Sequence, residues 1–527
     1  MTGILTRVLG WRTFALAFAC LLSVAAALAV ATYLLSGATL ARDGSALARV
    51  RLQRLAGTLA GVEATTPDGR PVQLAVEGGR LVPRTRLEPG EQVTVAVVVR
   101  RPGWSAWALG KERHERLTVR TPVADVVERW LTVAAGQRPV VRFDTPVSTV
   151  AIGKRTTVVD AASVAVPTHS AGGSVRVAAA ARPWERLGSP VTVTWFPKSR
   201  RPVVLAHPSP GTRIEPLTAI RLTLSEPVAS AIPHGLPSFA PSVAGRWTRT
   251  DSHTLVFRPS GFGAPFATTE TVRLPTPVTV VGSRSAVREL SWHVAPASFL
   301  RLQQLLAAEG YLPLEWTPTR ADIATTRTAE VAAAASPPEG RFRWRYPNTP
   351  HELVSLWRSG QPNEITRGAV MMFEYDHRLA VDGIVGPQVW RAAIADAVAG
   401  KRKPGGYSYV YVHRNVPQLL TLWHNGQVVL TSPGNTGVPA APTQLGTWPV
   451  FEHIPIGRMS GTNPDGSHYN DPGIRWISYF HGGEALHAFN RASFGTPQSL
   501  GCVELPLAAA ATAWPYTPIG TLVTIDN

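Results

Sequence analysis

The stretch SLGCVEL, Ser499–Leu505, decides how the C-terminal part of this chain is read, because it holds one of only two cysteines in 527 residues. The other, Cys20, lies in a long apolar run near the N-terminus, where a thiol behaves as a small hydrophobe. Beyond that run Cys502 has no partner for an internal disulfide. A free thiol outside the cytoplasm calls for a reason. It is either a buried, inert side chain or a nucleophile.

The neighbouring residues favour the nucleophile. A thiol of ordinary pKa is mostly protonated at neutral pH, so a catalytic cysteine needs an imidazole to take its proton and return it to a leaving amine. His487 stands fifteen residues before Cys502. That spacing suits a base on a strand, a loop, and a thiol at the next strand or turn. Gly501 leaves room for the backbone to approach a substrate carbonyl, so the amides of Gly501 and Cys502 are candidate oxyanion donors. Tyr479 is a candidate for lining the cleft, and His481 reads as a sheet-lining or exposed histidine. Asp465, His468 and Asp471 in NPDGSHYND lack a regular ligand pattern, so this segment is expected to be a polar flap and not a metal site. No cofactor motif is found. Upstream, YSYVYVHRNVPQLLTLWHNGQVVL alternates like strands, with Asn425-Gly426 as a type I′ hairpin pair.

These residues resemble the L,D-transpeptidase catalytic domain of bacterial cell-wall enzymes. The family pattern has an early glycine followed by a Thr-Pro-x-Gly-type segment, here NTGVPAAPTQLGTWPV. It continues with a histidine, a Ser-His-Gly-Cys segment, here SLGCVEL, and a closing strand, here Gly520–Ile525. The resemblance spans residues 405–527. It implies a β-rich sandwich with the cysteine at its edge, attack on the amide after the diamino acid of a tetrapeptide stem, release of D-Ala, and transfer to an acceptor amine. It also implies that the backbone carbonyl of Ala488 orients His487. Two positions depart from the pattern: Leu500 replaces a second histidine, and Glu504 replaces an arginine or asparagine. Ser499, Leu500 and Glu504 are accordingly candidate substrate-binding positions, with His487 as sole base.

Before this domain the hydrophobic period is helical. FLRLQQLLAAEGYLPL and TRGAVMMFEYDHRLAVDGIVGPQVWRAAIADA place apolar residues on helix faces. Gly310 marks a stop, and Gly386-Pro387 opens a helix with proline in its first turn. The stretch resembles the three-helix peptidoglycan-binding domain, here residues 297–398, interrupted by an insertion near 315–367. Between Arg49 and about Pro202, β-branched runs punctuated by Pro, Gly and Asp read as two β-sandwich spacers, residues 44–121 and 122–199. Residues 200–296, with HPSPGTRIEPLTAIRLTLSEPV and GRWTRTDSHTLVFRPSG, resemble the immunoglobulin-like repeats of bacterial surface proteins.

The N-terminus carries Arg7 and Arg12 and then an uncharged run. From Phe14 to Leu35 it would extend about 33 Å as a helix, enough to cross a bilayer. Residues 1–43 thus read as a cytoplasmic tail and a retained membrane anchor, with a signal cleaved near SGATLA as the competing reading. The formal charge of +17 suits an anionic polymer. Nucleic acid would require a cytoplasmic location, which the anchor argues against.

The expected molecule is therefore multidomain: a transmembrane helix, tandem all-β immunoglobulin-like sandwiches, a small helical peptidoglycan-binding domain and a β-rich transpeptidase domain. It would act on peptidoglycan stem peptides and glycan outside the cell membrane, with anionic wall polymers as further partners. A non-catalytic wall-binding scaffold and an L,D-carboxypeptidase are the alternatives.

Overall fold

The apolar run near the N-terminus has no proline and no charge after Arg12, and it forms one helix, α1 (Leu5–Leu35). Its Leu16–Leu35 portion is long and apolar enough to cross a membrane. The computed structural model describes residues 5–320 and 326–527, so Met1–Ile4 of the expected tail and residues 321–325 of the insertion lie outside the described residues. The chain divides into two units, one of Met1–Leu205, Leu224–Glu226 and Val278–Ala286, the other of Ala206–Thr223, Pro227–Pro277 and Val287–Asn527.

In the first unit, strand Gln92–Arg100 buries Val93, Val95, Val97 and Val99 on one face. It runs between Thr58–Thr65 and Glu112–Arg120 in a three-stranded sheet, and a four-stranded sheet (Ala38–Ala41, Ala48–Leu52, Arg80–Pro83, Leu74–Glu77) shares its core. A short helix, α2 (Gly103–Leu109), links two strands of the first sheet. Residues 130–197 form a five-stranded sheet about the long strand Val140–Ile152. One end of that strand pairs with Ser163–Ala165 and the other with both Arg155–Val158 and Gly173–Ala180. Register shifts between Val158 and Ser163 accompany this change of partner.

In the second unit, Ile220–Thr223 and Gly245–Arg249 flank Thr254–Pro259. Phe239, Trp247 and Phe257 cluster there, and the fully buried Trp292 donates to Pro208 O at 3.0 Å. Three helices follow: α3 (Phe299–Ala308), α4 (Glu364–Asp376) and α5 (Pro387–Ala399). The insertion between α3 and α4 has structure of its own. It contains a hairpin (Leu314–Pro318 with Gly340–Trp344) and a helix, Arg327–Ala335, fastened to α3 by the buried ion pair of Glu330 with Arg301. Gln303 of the LQ pair holds the far end, donating to Arg358 O and Thr366 Oγ1 at 3.0 Å and accepting from Gly360 N at 2.7 Å.

The C-terminal region folds into two sheets. The first has the order β3-β2-β1-β9-β4, built from β1 (Ser408–His413), β2 (Leu419–His424), β3 (Gln427–Pro433), β4 (Gly446–Pro449) and β9 (Leu522–Asp526). The second, in chain order, is β5 (Glu452–Thr462), β6 (His468–His481), β7 (Glu484–Ala488) and β8 (Val503–Leu505). Asn425 and Gly426 have φ of 48° and 90°, the left-handed pair a tight β2–β3 turn requires. The expected polar flap is mostly strand, since Thr462↔His468 through Arg458↔Pro472 pair as a ribbon, leaving only residues 463–467 as turn. Its polar composition misleads because one face of the ribbon is exposed and the other, with Met459, Tyr469 and Asp471, is only half-buried, so its ladder hydrogen bonds define it more than burial does.

The helices and the first of these sheets share one core, in which Leu302, Leu306, Phe373 and Trp390 cluster with Tyr407, Tyr409, Trp423 and Leu522. The closest approach is between backbones: a Cβ on Gly368 of α4 would stand 2.5 Å from Gly520 O and 3.0 Å from Leu522 Cδ2. Overpacking of this kind typically costs about 1–3 kcal/mol. Gly368→Val is thus expected to lower unfolding stability by about that amount, measured by urea denaturation, whereas Gly386→Ala, with no atom near its Cβ position, should change it much less.

Candidate active site

The site is built on the pairing of β7 with β8. These strands run parallel, with Leu486 opposite Val503, His487 opposite Glu504 and Ala488 opposite Leu505. Cys502 lies one residue before β8, at the end of the loop that returns from β7. The fold thus brings His487 and Cys502 onto neighbouring backbones. His487 is almost wholly buried, its ring set edge-on to Phe489 with centroids 5.9 Å apart. Its Nδ1 lies 3.0 Å from Ala488 O. A carbonyl can only accept, so Nδ1 carries the proton and Nε2 keeps the lone pair.

Cys502 packs among Ile454, Met459, Tyr479 and Phe489 around a small cluster of Ile474, Ile477 and Ala485. Its thiol donates weakly to Gly483 O at 3.7 Å. Burial pushes the thiol pKa up to about 12, the negative charges of Glu504 and Glu484 add to that, and the Ala485 amide opposes it. Burial lowers the pKa of His487, against the pull of Ala488 O and Glu504. Both shifts favour the neutral forms, so the resting pair is thiol and imidazole. Tyr479 and Tyr469 feel the cysteine as well, each pushed up first by burial and then by the Cys502 charge.

The loop before the thiol is held by an NTG segment. Asn435 exchanges two backbone hydrogen bonds with Glu504, each 2.9 Å, and its Oδ1 accepts from Gly495 N at 2.9 Å. Thr436 O accepts the Ser499 amide at 3.0 Å, and Ser499 O accepts that of Val438 at 2.9 Å. In the sequence NTGVPAAPTQLG is legible only as a family mark; in the fold it is the cradle of the thiol loop.

Three sequence expectations are corrected by this geometry. Ser499, expected to touch substrate, is buried, donates to Cys502 O at 2.6 Å and accepts from Gly501 N at 3.2 Å. Its hydroxyl is consumed in shaping the loop. That second bond also engages the Gly501 amide, which was expected to serve an oxyanion. Gly501 contributes its φ of 114° instead, and a Cβ there would press on Glu484. Glu504 presents no free anion to a substrate, because it is buried in a bidentate pair with Arg491, at 2.9 and 2.7 Å. Leu500 is half-buried.

Two residues were missed in the sequence. Arg491 pairs with Glu504, donates to Gln498 O at 3.1 Å, and lies 4.6 Å from the Phe489 ring centroid. Glu484 accepts from Gln444 N at 3.1 Å and faces His481 at 3.4 Å, while His481 leans on Trp448. His487, Phe489 and Arg491 recur at every second residue, a signal that was available but that the loop-like NRAS obscured. Removing the guanidinium would strand a buried carboxylate. Because the Arg491 side chain is 31% exposed, the cost should fall below that of a fully buried pair, at about 2–3 kcal/mol. Arg491→Ala is expected to lose that much stability in chemical denaturation, and Arg491→Leu with Glu504→Leu to regain most of it.

Comparison with known proteins locates this geometry in a family. Residues 407–525 match the model of the L,D-transpeptidase catalytic domain, and residues 358–393 that of a peptidoglycan-binding domain. No curated protein matches the chain. Among solved structures, the chain is similar to an L,D-transpeptidase from Mycobacterium smegmatis (12% identity, 62% of this chain and 100% of that one, TM-score 0.21). It is also similar to L,D-transpeptidase 3 from Mycobacterium tuberculosis (11% identity, 62% and 98%, TM-score 0.22). A third is the catalytic domain of the E. faecium L,D-transpeptidase (22% identity, 22% and 95%, TM-score 0.21). At such scores the overlap decides nothing about shape, and the assignment rests on the family matches. By those matches, residues 407–525 are an L,D-transpeptidase catalytic domain and residues 358–393 a peptidoglycan-binding domain.

Proposed function

We propose that the chain is an extracytoplasmic peptidoglycan L,D-transpeptidase, held at the membrane by α1, with its β-domains as spacers and its helical domain gripping the polymer. Cys502 is the nucleophile and His487 the general base and acid. The observation that carries this reading is the Nδ1 contact of His487 with Ala488 O, at 3.0 Å, on the strand paired beside the cysteine. It frees Nε2 for proton transfer.

In the proposed reaction Cys502 Sγ attacks the carbonyl carbon of the amide following the diamino acid of a tetrapeptide stem, and its proton passes to His487 Nε2. The Cys502 amide is the favoured oxyanion donor, since that of Gly501 is engaged by Ser499. His487 returns the proton to the D-Ala nitrogen as the C–N bond breaks, leaving a thioester. An acceptor amine then attacks the thioester, losing its proton to His487, and the sulfur leaves and is reprotonated. Tyr479, beside the thiol, is the wall of the stem-peptide cleft. The net positive charge of the chain suits anionic wall polymers as further partners.

Full-length protein mixed with tetrapeptide-stem muropeptide is expected to gain the mass of a transient acyl adduct and to release D-Ala, with Cys502→Ala doing neither. Cross-linked dimers would mark a transpeptidase, hydrolysed stems a carboxypeptidase, and folded protein giving neither adduct nor D-Ala a wall-binding scaffold. The pH profile follows from the direction of the histidine shift. A base with a lowered pKa keeps its lone pair further into acid, so the acid limb of kcat/KM for D-Ala release should lie below the ordinary histidine value of about 6.5.

A further inference from the structure

No flexible linker follows α1. Leu35 O accepts the Leu55 amide at 3.0 Å, Gly37 O accepts that of Gln53 at 2.9 Å, and the buried Ser36 hydroxyl accepts from Arg101 Nε at 3.0 Å. The guanidiniums of Arg101 and Arg113 lie 5.5 and 4.6 Å from the Tyr33 ring centroid, and Arg113 also donates to Tyr33 O. The helix passes directly into the first β-domain. Whatever surface surrounds residues 33–37 must therefore stand at the level of the lipid headgroups if α1 spans the bilayer.

That surface contains α2. Its last carbonyl, Leu109 O, accepts from the same Arg101 guanidinium that reaches Ser36, so one side chain bridges the exit of α1 and the end of α2. On α2, Trp104 is 58% and Trp107 85% exposed. Two indoles left this open on so short a helix are poorly suited to water, whereas an apolar ring with one N–H donor is suited to a membrane interface. Arg54, Arg100 and Lys111 are exposed on the segments that meet there, with Glu112 the opposing charge at the same strand ends. The rim is net cationic, complementary to anionic headgroups.

We infer that α2 and this basic rim form a second membrane contact, with Trp104 and Trp107 seated in the outer-leaflet interface and Arg54, Arg100 and Lys111 facing lipid phosphates. The occupant is the bilayer that α1 crosses, and the inference rests on the reading of α1 as a retained anchor. Two contacts then fix the orientation of the first β-domain, which α1 alone would leave free to rotate about the helix axis.

The test uses full-length protein in phosphatidylethanolamine–phosphatidylglycerol vesicles whose acyl chains carry bromine, a short-range quencher of indole fluorescence. Native protein is compared with Trp104→Phe combined with Trp107→Phe, and flotation after an alkaline wash reports on α1 independently. Of the 16 tryptophans, Trp11 is the other one beside the apolar run, so both proteins should float while the variant loses roughly half or more of the lipid-quenched signal. Equal quenching in two proteins that both float would overturn the docking and leave the anchor standing. Loss of both proteins from the vesicles would remove the anchor and the docking with it.

Discussion

Two short strands running in the same direction, Glu484–Ala488 and Val503–Leu505, set His487 and Cys502 on neighbouring backbones, and the rest of the C-terminal region is arranged around that pairing. Parallel neighbours need a crossover, because a tight turn cannot join them. Here the crossover is the loop 489–502, which by itself would be the most mobile part of the site. It is held because Asn435, Thr436 and Val438 hydrogen-bond along its far side, and because Ser499 closes its last turn on itself. The thiol therefore stands on a backbone constrained from both sides, a condition for precise positioning that needs no charged residue at Leu500.

The electrostatics of the site follow from burial. Carboxylates at 484 and 504 and a closely packed apolar wall all disfavour a resting thiolate, and the buried imidazole disfavours its own protonation. In the proposed reaction ionisation would be deferred to the approach of a substrate, when the developing charges on sulfur and ring can offset each other. Arg491 keeps this arrangement tolerable. Without it Glu504 would be a buried, uncompensated charge opposite His487; with it, the ion pair is a neutral unit stacked on Phe489.

The helical region is not a separate bead on a string. Its core residues and those of the first catalytic sheet form one cluster, and the backbones of Gly368 and Gly520 touch. The insertion that interrupts the helices is absorbed into the same body through Glu330 and Gln303. A peptidoglycan-binding surface carried on these helices would thus have a fixed relation to the thiol.

Much of this was legible in the sequence because it rests on local rules. The helical period around Leu302 and Leu306, the turn at Asn425-Gly426, proline at the start of α5 and the apolar length of α1 all report interactions between residues near in sequence. The lone Cys502 and the preceding His487 could be singled out as candidates too, since chemistry restricts which side chains could do such work, and the fold sets them on neighbouring backbones. What the sequence left unread depends on partners far apart in the chain. Glu504 looks like an exposed anion until Arg491 is folded against it, Ser499 looks like a substrate ligand until its hydroxyl is spent on Cys502 O, and the polar ribbon of β5 and β6 looks like a loop because its ladder bonds leave no mark on composition. Residue types determined which chemistry was available, while the tertiary fold decided which polar groups remained free to perform it, because a hydrogen bond already made inside the protein is no longer available to a substrate.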